Sequence, residues 1–197
     1  MFGPDDVERA GELVGAAWAA GAGGDWSVPA GTLAWSCHRT ATHAVDAALA
    51  PAFFLASRRR DGYPAWGGGE PGPDTPPAAL AEAIAAVGRL VAGVVAAAPP
   101  GVTAAIWRRP RVEVRPAADF APRSGLEILL HGHDVCAGLG VGFAPPADLS
   151  ARLRDHTRGW PHWSSPGWRP CPETDDPSGD LLAGSGRSRF WPRDRMP

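Results

Sequence analysis

The sequence has few of the residues that build disulfide scaffolds or cysteine-based zinc cages. Its three cysteines stand at positions 37, 136 and 171. An odd number at such wide spacing excludes both a disulfide framework and a CxxC-type zinc site. We interpret them as small buried or incidental thiols, which is the usual role of free cysteine.

A large net charge is absent as well. The 19 basic residues, all of them arginine, nearly balance the 21 acidic residues and leave a formal net charge of -2. Such a chain has no overall field that attracts nucleic acid or an anionic membrane. We therefore expect neither partner, and any charged ligand must be recognised locally, at a site.

The first residues also lack the pattern of a secretory signal. Acidic residues follow MFGP where a signal would carry a basic segment and then an apolar one. No uninterrupted apolar run reaches the length that spans a bilayer. We therefore expect a cytoplasmic protein.

What the sequence does contain is a set of segments with helical periodicity. With 197 residues and 44% hydrophobic content, the chain is long enough to bury one full core. Apolar residues at helical spacing predict four long helices and a short fifth one. The predicted ranges are residues 5–20, 37–50 with a kink or restart at Pro51, 77–98, 122–139 and 147–158.

The order of these helices predicts the fold class. A Gly/Pro-rich stretch at about 61–77 separates the second and third helices and is long enough to cross the length of a bundle. We therefore predict an all-α fold: a four-helix bundle with a long crossover connection, followed by a short helix and a Trp/Pro-rich coil. The predicted division is a bundle over 1–145 and an irregular, partly disordered C-terminal region over 146–197, packed on the bundle or trailing from it.

The predicted fourth helix carries polar residues on an otherwise apolar surface. At about 100° per residue, Glu127, His131 and Asp134 fall on one stripe of this helix. A buried carboxylate and a buried imidazole need partners, and a divalent metal bound by Glu127 and His131 would satisfy both. A simple helix-surface hydrogen bond between them is the alternative. His133 points to another face and is the main competitor of His131.

The second helix offers a third metal ligand. His43 lies among alanines that allow another helix to approach closely, although a core histidine can also simply form a hydrogen bond. Two histidines and one carboxylate would leave coordination positions open for water or substrate. We expect Asp134 and Asp46 to hold the ligands from outside the coordination sphere. The remaining histidines are interpreted as surface or structural: His38, His156 and His162.

Two motifs carry a family resemblance. Trp35-Ser36 followed by His43 resembles the W-[ST]-x6-H segment of the DinB/YfiT-like superfamily, in particular the N-terminal domain of mycothiol-dependent maleylpyruvate isomerase. LEILLHGHD resembles the E-x3-H-x2-D segment of that family and includes Glu127, His131 and Asp134. The resemblance implies a four-helix bundle in which the two histidines and the glutamate bind a divalent metal, usually zinc.

This resemblance also implies a function. It points to a metal-dependent transferase or isomerase that uses a low-molecular-weight thiol such as mycothiol on a small electrophile. A bound cation lowers the pKa of a coordinated thiol or water, so no protein nucleophile is required. A cluster of four arginines could bind carboxylates of the thiol or substrate, or else it forms a solvent-exposed surface. Part of this segment alternates in polarity, as an extended arm or an edge strand would. The members of the cluster are Arg108, Arg109, Arg111 and Arg115.

Two other functions fit the same residues. The metal could activate water for hydrolysis. Alternatively, the chain is a binding protein without catalysis, stabilised by metal or metal-free, that forms a homodimer through its Trp-rich coil.

Overall fold

The computed structural model describes residues 1–65, 69–107, 112–165 and 167–187, and the protein is mostly helical. Over these residues six α-helices and one two-stranded antiparallel sheet are formed. The elements are α1 (Pro4–Ala20), α2 (Cys37–Ser57), α3 (Pro77–Ala96), β1 (Thr103–Trp107), β2 (Glu113–Pro116), α4 (Phe120–Leu139), α5 (Ala147–Thr157) and α6 (Pro177–Gly184).

The four long helices pack against one another around a common core. Helix α1 packs most closely on α3, and α2 packs mainly on α4. The contact between α1 and α3 requires glycine, because a Cβ at Gly88 would lie 2.9 Å from the carbonyl oxygen of Val7. The close approach of the two backbones therefore depends on a residue without a side chain.

Helix α3 is the most apolar element. It has 20 residues, and its mean hydropathy reaches 1.8 over a stretch of 18 of them, so it is long and apolar enough to cross a membrane by length and composition alone. The core helix of a packed protein meets the same test, and α3 buries one stripe of its surface against α1 and α2. Leu90 lies on the other side and is about half exposed.

Helix α2 begins where the sequence predicts and continues through the proline. The hydroxyl of Ser36 accepts a hydrogen bond from the backbone N–H of Arg39, which confirms Ser36 as the N-cap. Pro51 does not restart the helix, because α2 is continuous to Ser57. Proline removes the backbone donor that would otherwise bond the carbonyl of Ala47. One residue further along, the hydroxyl of Ser124 on α4 donates to the carbonyl of Ala48 and connects the middle of α2 to α4.

The region before α4 forms more structure than predicted. The predicted edge strand is β2, and it pairs with β1, while Arg108, Arg109 and Arg111 lie outside the described residues. A 3-10 turn over Ala117–Asp119 leads into α4, which begins two residues earlier than predicted.

The C-terminal region packs on the same core as the four long helices. Residues 171–187 were predicted as irregular tail, yet they include α6, whose Leu181 and Leu182 are fully buried. Arg154 of α5 donates to Asp180 of α6 at 2.7 Å and ties the two helices together. This region therefore forms one wall of the molecule, and the predicted disordered tail is corrected up to residue 187.

Candidate metal centre

The predicted metal ligands meet in the structure. His43 on α2, Glu127 on α4 and His131 one turn further along α4 each offer one ligand atom, and these atoms all lie within 4.8 Å of one another. A point no more than about 2.8 Å from all three (4.8 Å divided by √3) therefore exists, while zinc bonds to such ligands are about 2.0–2.2 Å long. Shifts of less than about 1 Å would bring the three atoms to bonding distance of a cation.

The helix spacing explains why the ligands converge. Glu127 and His131 are four residues apart, so both side chains leave α4 on the same side. The Nε2 atom of His131 lies 3.3 Å from Oε2 of Glu127. The rings of His131 and His43 meet edge to face across the α2–α4 contact, with centroids 5.3 Å apart and planes at 80°.

Asp134 holds His131 from behind, as the sequence predicts. The Nδ1 of His131 donates to Oδ2 of Asp134 at 3.1 Å, which leaves Nε2 directed towards Glu127. Burial raises the pKa of Asp134, but hydrogen bonds from His131 and Arg187 outweigh it and lower the pKa below its usual value. Asp134 is therefore an ionised carboxylate inside the protein.

The charge states of Glu127 and His43 suit a cation, and His131 exchanges a proton for one. Burial raises the pKa of Glu127, yet the Arg123 guanidinium and the hydrogen bond to His131 lower it well below its usual value. Burial and the neighbouring His131 lower the pKa of His43, so its imidazole is neutral. Burial lowers the pKa of His131, but its bonds to the two carboxylates raise it above its usual value. His131 thus stands between two anions that a proton or a metal can neutralise.

Glu70 approaches His43 from the connection between α2 and α3. Its Oε1 atom lies 3.9 Å from Nδ1 of His43, and its carboxylate is paired with Arg39. Asp46, predicted for this role, is not among the groups that shift the pKa of His43. Burial and the Glu70 charge raise the pKa of Asp46 itself, and the His43 charge lowers it. Among the described residues, Glu70 is therefore the carboxylate that forms an ion pair with Nδ1 of His43.

A cavity of about 400 Å³ adjoins the three ligands. Its size is in the range of small-molecule sites. Both α4 and the C-terminal region contribute to its walls. Besides the ligands, the walls include Arg123, Leu126, Leu130, His162, Trp168 and Arg187.

The arginines that line this cavity among the described residues were not predicted, and Arg108, Arg109 and Arg111 stay untested because they lie outside those residues. Arg123 and Arg187 line it, whereas Arg115 on β2 pairs with Glu113 and Asp119 and is not among the described lining residues. The spacing of Arg123 four residues before Glu127 could have indicated its role. No local pattern could have indicated Arg187, because its partner Asp134 is 53 residues away.

The other histidines have separate roles. His133, the competitor of His131, donates from Nδ1 to the carbonyl of Phe143 at 3.2 Å. His38 bonds the carbonyl of Thr75. His162 was interpreted as structural, and it lines the cavity; burial and the Arg123 charge lower its pKa to about 3, so it is neutral.

The cysteines are poor nucleophiles. Burial raises the pKa of Cys37 to about 11 and the pKa values of Cys136 and Cys171 to about 12. All three therefore remain thiols near neutral pH, which agrees with their interpretation as small buried side chains.

Comparisons of the chain with protein-family models, with curated proteins and with solved structures gave no match. The resemblance to the DinB/YfiT-like superfamily stays a prediction that rests on the two motifs.

Proposed function

We propose that the protein is a metal-dependent enzyme that uses a low-molecular-weight thiol of the mycothiol kind. It either transfers this thiol to a small electrophile or uses the thiol to isomerise the electrophile. In this proposal the four long helices form a DinB-like four-helix bundle, and a divalent metal, zinc, binds to His43, Glu127 and His131. The proposal includes a cytoplasmic location and small molecules as the partners.

The observation that carries the proposal is the convergence of three ligands beside a cavity. Three protein ligands leave coordination positions open, which is typical of catalytic rather than structural zinc sites. The cavity lies where those positions would be filled, and its volume of about 400 Å³ suits a small molecule.

The chain supplies no thiolate of its own near the site. Burial keeps all three cysteines protonated, and the described metal-ligand group contains no cysteine. When bound, a divalent cation favours the thiolate form of a coordinated thiol. The nucleophile therefore comes from outside the chain, and in this proposal it is a thiol.

The residues of the site divide the remaining tasks. Glu127 contributes negative charge, and Asp134 holds the ring of His131 in one orientation. Arg123 and Arg187 are each paired with a carboxylate, Glu127 and Asp134 respectively. Apolar side chains of the cavity exclude water around the electrophile; they are Leu126, Leu130 and Trp168.

A thiol-transfer assay tests this function. The purified protein, loaded with zinc, is incubated with mycothiol and a haloalkyl electrophile, and the products are identified by mass spectrometry. We expect a thioether adduct that forms faster than without protein. Glu127→Gln and a chelator should each abolish this acceleration, while His133→Ala, on the same helix but bonded elsewhere, should retain it.

Other outcomes would support the two alternatives. Turnover of an ester or amide by the zinc-loaded protein without added thiol would show a hydrolase. Loss of thermal stability on chelation, with neither thiol binding nor turnover, would show a metal-stabilised binding protein.

A further inference from the structure

Arg187 connects the C-terminal region to the metal centre. It follows α6 directly, and its Nε and Nη2 atoms donate to the two oxygens of Asp134 at 2.8 and 2.7 Å. The side chains of Arg187 and Asp134 are only 10% and 2% exposed. A bidentate pair of this kind fixes both the position and the plane of the carboxylate.

The backbone around Arg187 is fixed as well. Its N–H donates to the carbonyl of Leu182 at 2.8 Å, and its Nη1 donates to the carbonyl of Ser185 at 3.1 Å. Gly186 turns the chain with a φ of 77°, which side chains rarely allow. The guanidinium is therefore held by contacts within its own segment of the chain as well as by Asp134.

Asp134 passes this constraint on to a metal ligand. The oxygen that accepts from Nη2 of Arg187 is the same Oδ2 that accepts from Nδ1 of His131. A carboxylate on Nδ1 fixes the tautomer and the ring orientation of a ligating histidine, so that Nε2 faces the metal. Without Arg187, the carboxylate would lose two charged donors and could rotate in its pocket.

We propose that Arg187 is a positioning residue for the metal centre, acting through Asp134 on His131, and that the C-terminal region is therefore a part of the centre. This inference rests on the proposed metal site but not on the proposed reaction. In this inference, the metal affinity of a site whose ligands lie on α2 and α4 depends on a residue about 56 positions further along the chain than His131.

A second ion pair in the same region provides a matched control. Arg154 of α5 donates to Asp180 of α6 at 2.7 Å, and these side chains are 13% and 4% exposed. This pair connects two helices within the C-terminal region, and in the described interactions it contacts none of the three ligands. Arg154→Gln therefore disrupts a comparable buried pair and leaves Asp134 with both its partners.

The experiment measures metal affinity and ligand geometry in four proteins. They are the wild type, Arg187→Gln, Arg187→Lys and Arg154→Gln. Zinc affinity is obtained by competition with a chromophoric chelator, and the visible absorption of the Co²⁺-loaded protein reports the geometry of the ligands. Thermal melts of the metal-free proteins record how far each substitution destabilises the fold.

We expect Arg187→Gln to weaken zinc binding about tenfold and to change the Co²⁺ spectrum. Arg187→Lys keeps the charge but not the bidentate geometry, so its zinc affinity should lie between that of the wild type and that of Arg187→Gln. Arg154→Gln should lower the melting temperature while its zinc affinity stays within about twofold of wild type.

Three results would overturn the inference. One is a wild-type affinity and spectrum in Arg187→Gln, and another is an equal loss of affinity in Arg154→Gln, which would show general destabilisation. The third is a wild type that binds no metal, which would overturn the proposed function as well. If Arg187→Gln does not fold, the same criteria apply to Arg187→Lys.

Discussion

His131 and His43 each face a carboxylate that is paired with an arginine, but the two arrangements differ in distance and burial. On the His131 side, Asp134 accepts a hydrogen bond at 3.1 Å and is 2% exposed. On the His43 side, Glu70 stays at 3.9 Å and is 34% exposed. The first arrangement is built from α4 and the C-terminal region, and the second from α2 and the long connection.

The half of the centre around His131 and Asp134 is therefore preorganised, and the half around His43 and Glu70 is open. A hydrogen-bonded, buried carboxylate holds its histidine without help from the metal. The Glu70 carboxylate, 3.9 Å from His43 and one-third exposed, makes no hydrogen bond to that histidine, and water screens its charge. Trp35, whose ring lies 5.2 Å from that of His43, is also exposed. The His43 side is therefore where a ligand would enter.

The largest effect should come from removing the preorganised ligand. His131→Ala leaves two ligands, and we expect zinc affinity to fall more than about 100-fold, because outer contacts alone are worth 10–100-fold. Isothermal titration measures the loss. His133→Ala is the control, since its ring bonds the carbonyl of Phe143 and lies on another face. A loss of similar size in both variants would contradict the assignment of the ligand.

Asp134→Asn tests the support of the preorganised half. The amide would keep the shape of the side chain but would leave Arg187 buried without its anion. We expect zinc affinity to fall about 10–100-fold and the melting temperature of the metal-free protein to fall as well. Titration and thermal melts measure the two losses. An unchanged affinity would show that His131 needs no carboxylate behind it.

The preorganised half should also be sensitive to acid through His162. Burial and the Arg123 charge hold the pKa of His162 at about 3 in the folded protein, whereas the unfolded value is about 6.5. The unfolded chain then binds this proton first, so stability is retained above pH 6.5 and falls as the pH drops towards 3.

The magnitude can be measured with chelated protein. The linkage amounts to about 1–2 kcal/mol at pH 5 relative to pH 8. We expect His162→Phe, which keeps an aromatic ring against Trp160 and Trp163 without a proton site, to lose less stability over this range in urea unfolding. Parallel pH dependence in both proteins would show that His162 is protonated in the folded state.

The smallest effect should come from the open half. Glu70→Gln removes the charge near His43 but breaks no hydrogen bond to it. We expect zinc affinity to change by about threefold or less, as for exposed ion pairs. The comparison with Asp134→Asn is the decisive one. A loss from Glu70→Gln as large as that from Asp134→Asn would mean that both halves are built alike.

The sequence predicts the helices and the three ligands because both depend on short-range spacing. Apolar periodicity located α1, α3 and α4, and the interval of four residues between Glu127 and His131 follows from the helix alone. The pairing of α4 with α2 needed one further assumption, namely that the alanines around His43 face the core. The structure places these ligands together as predicted.

The rest of the site depends on contacts between distant parts of the chain. Helix α6 is short and contains Ser, Gly and Asp, so its sequence carries no strong helical period. Arg187 and His162 line the cavity from the C-terminal region, which Leu181 and Leu182 help to anchor in the core. Such tertiary contacts leave no pattern at helical or strand spacing.

The continuation of α2 beyond Pro51 has a similar cause. Local propensity favours a break at proline, but α2 packs against α3 and α4, and its residues Pro51, Ala52 and Leu55 are buried. Packing therefore outweighs the loss of one backbone hydrogen bond.

The metal content of the purified protein tests the central claim most directly. Elemental analysis of the wild type after zinc loading and extensive dialysis should give one equivalent of zinc per chain. Glu127→Gln, which keeps the shape of the ligand but removes its charge, should retain less than about a tenth of an equivalent. A metal-free wild type, or equal zinc in both proteins, would contradict a metal centre formed by His43, Glu127 and His131.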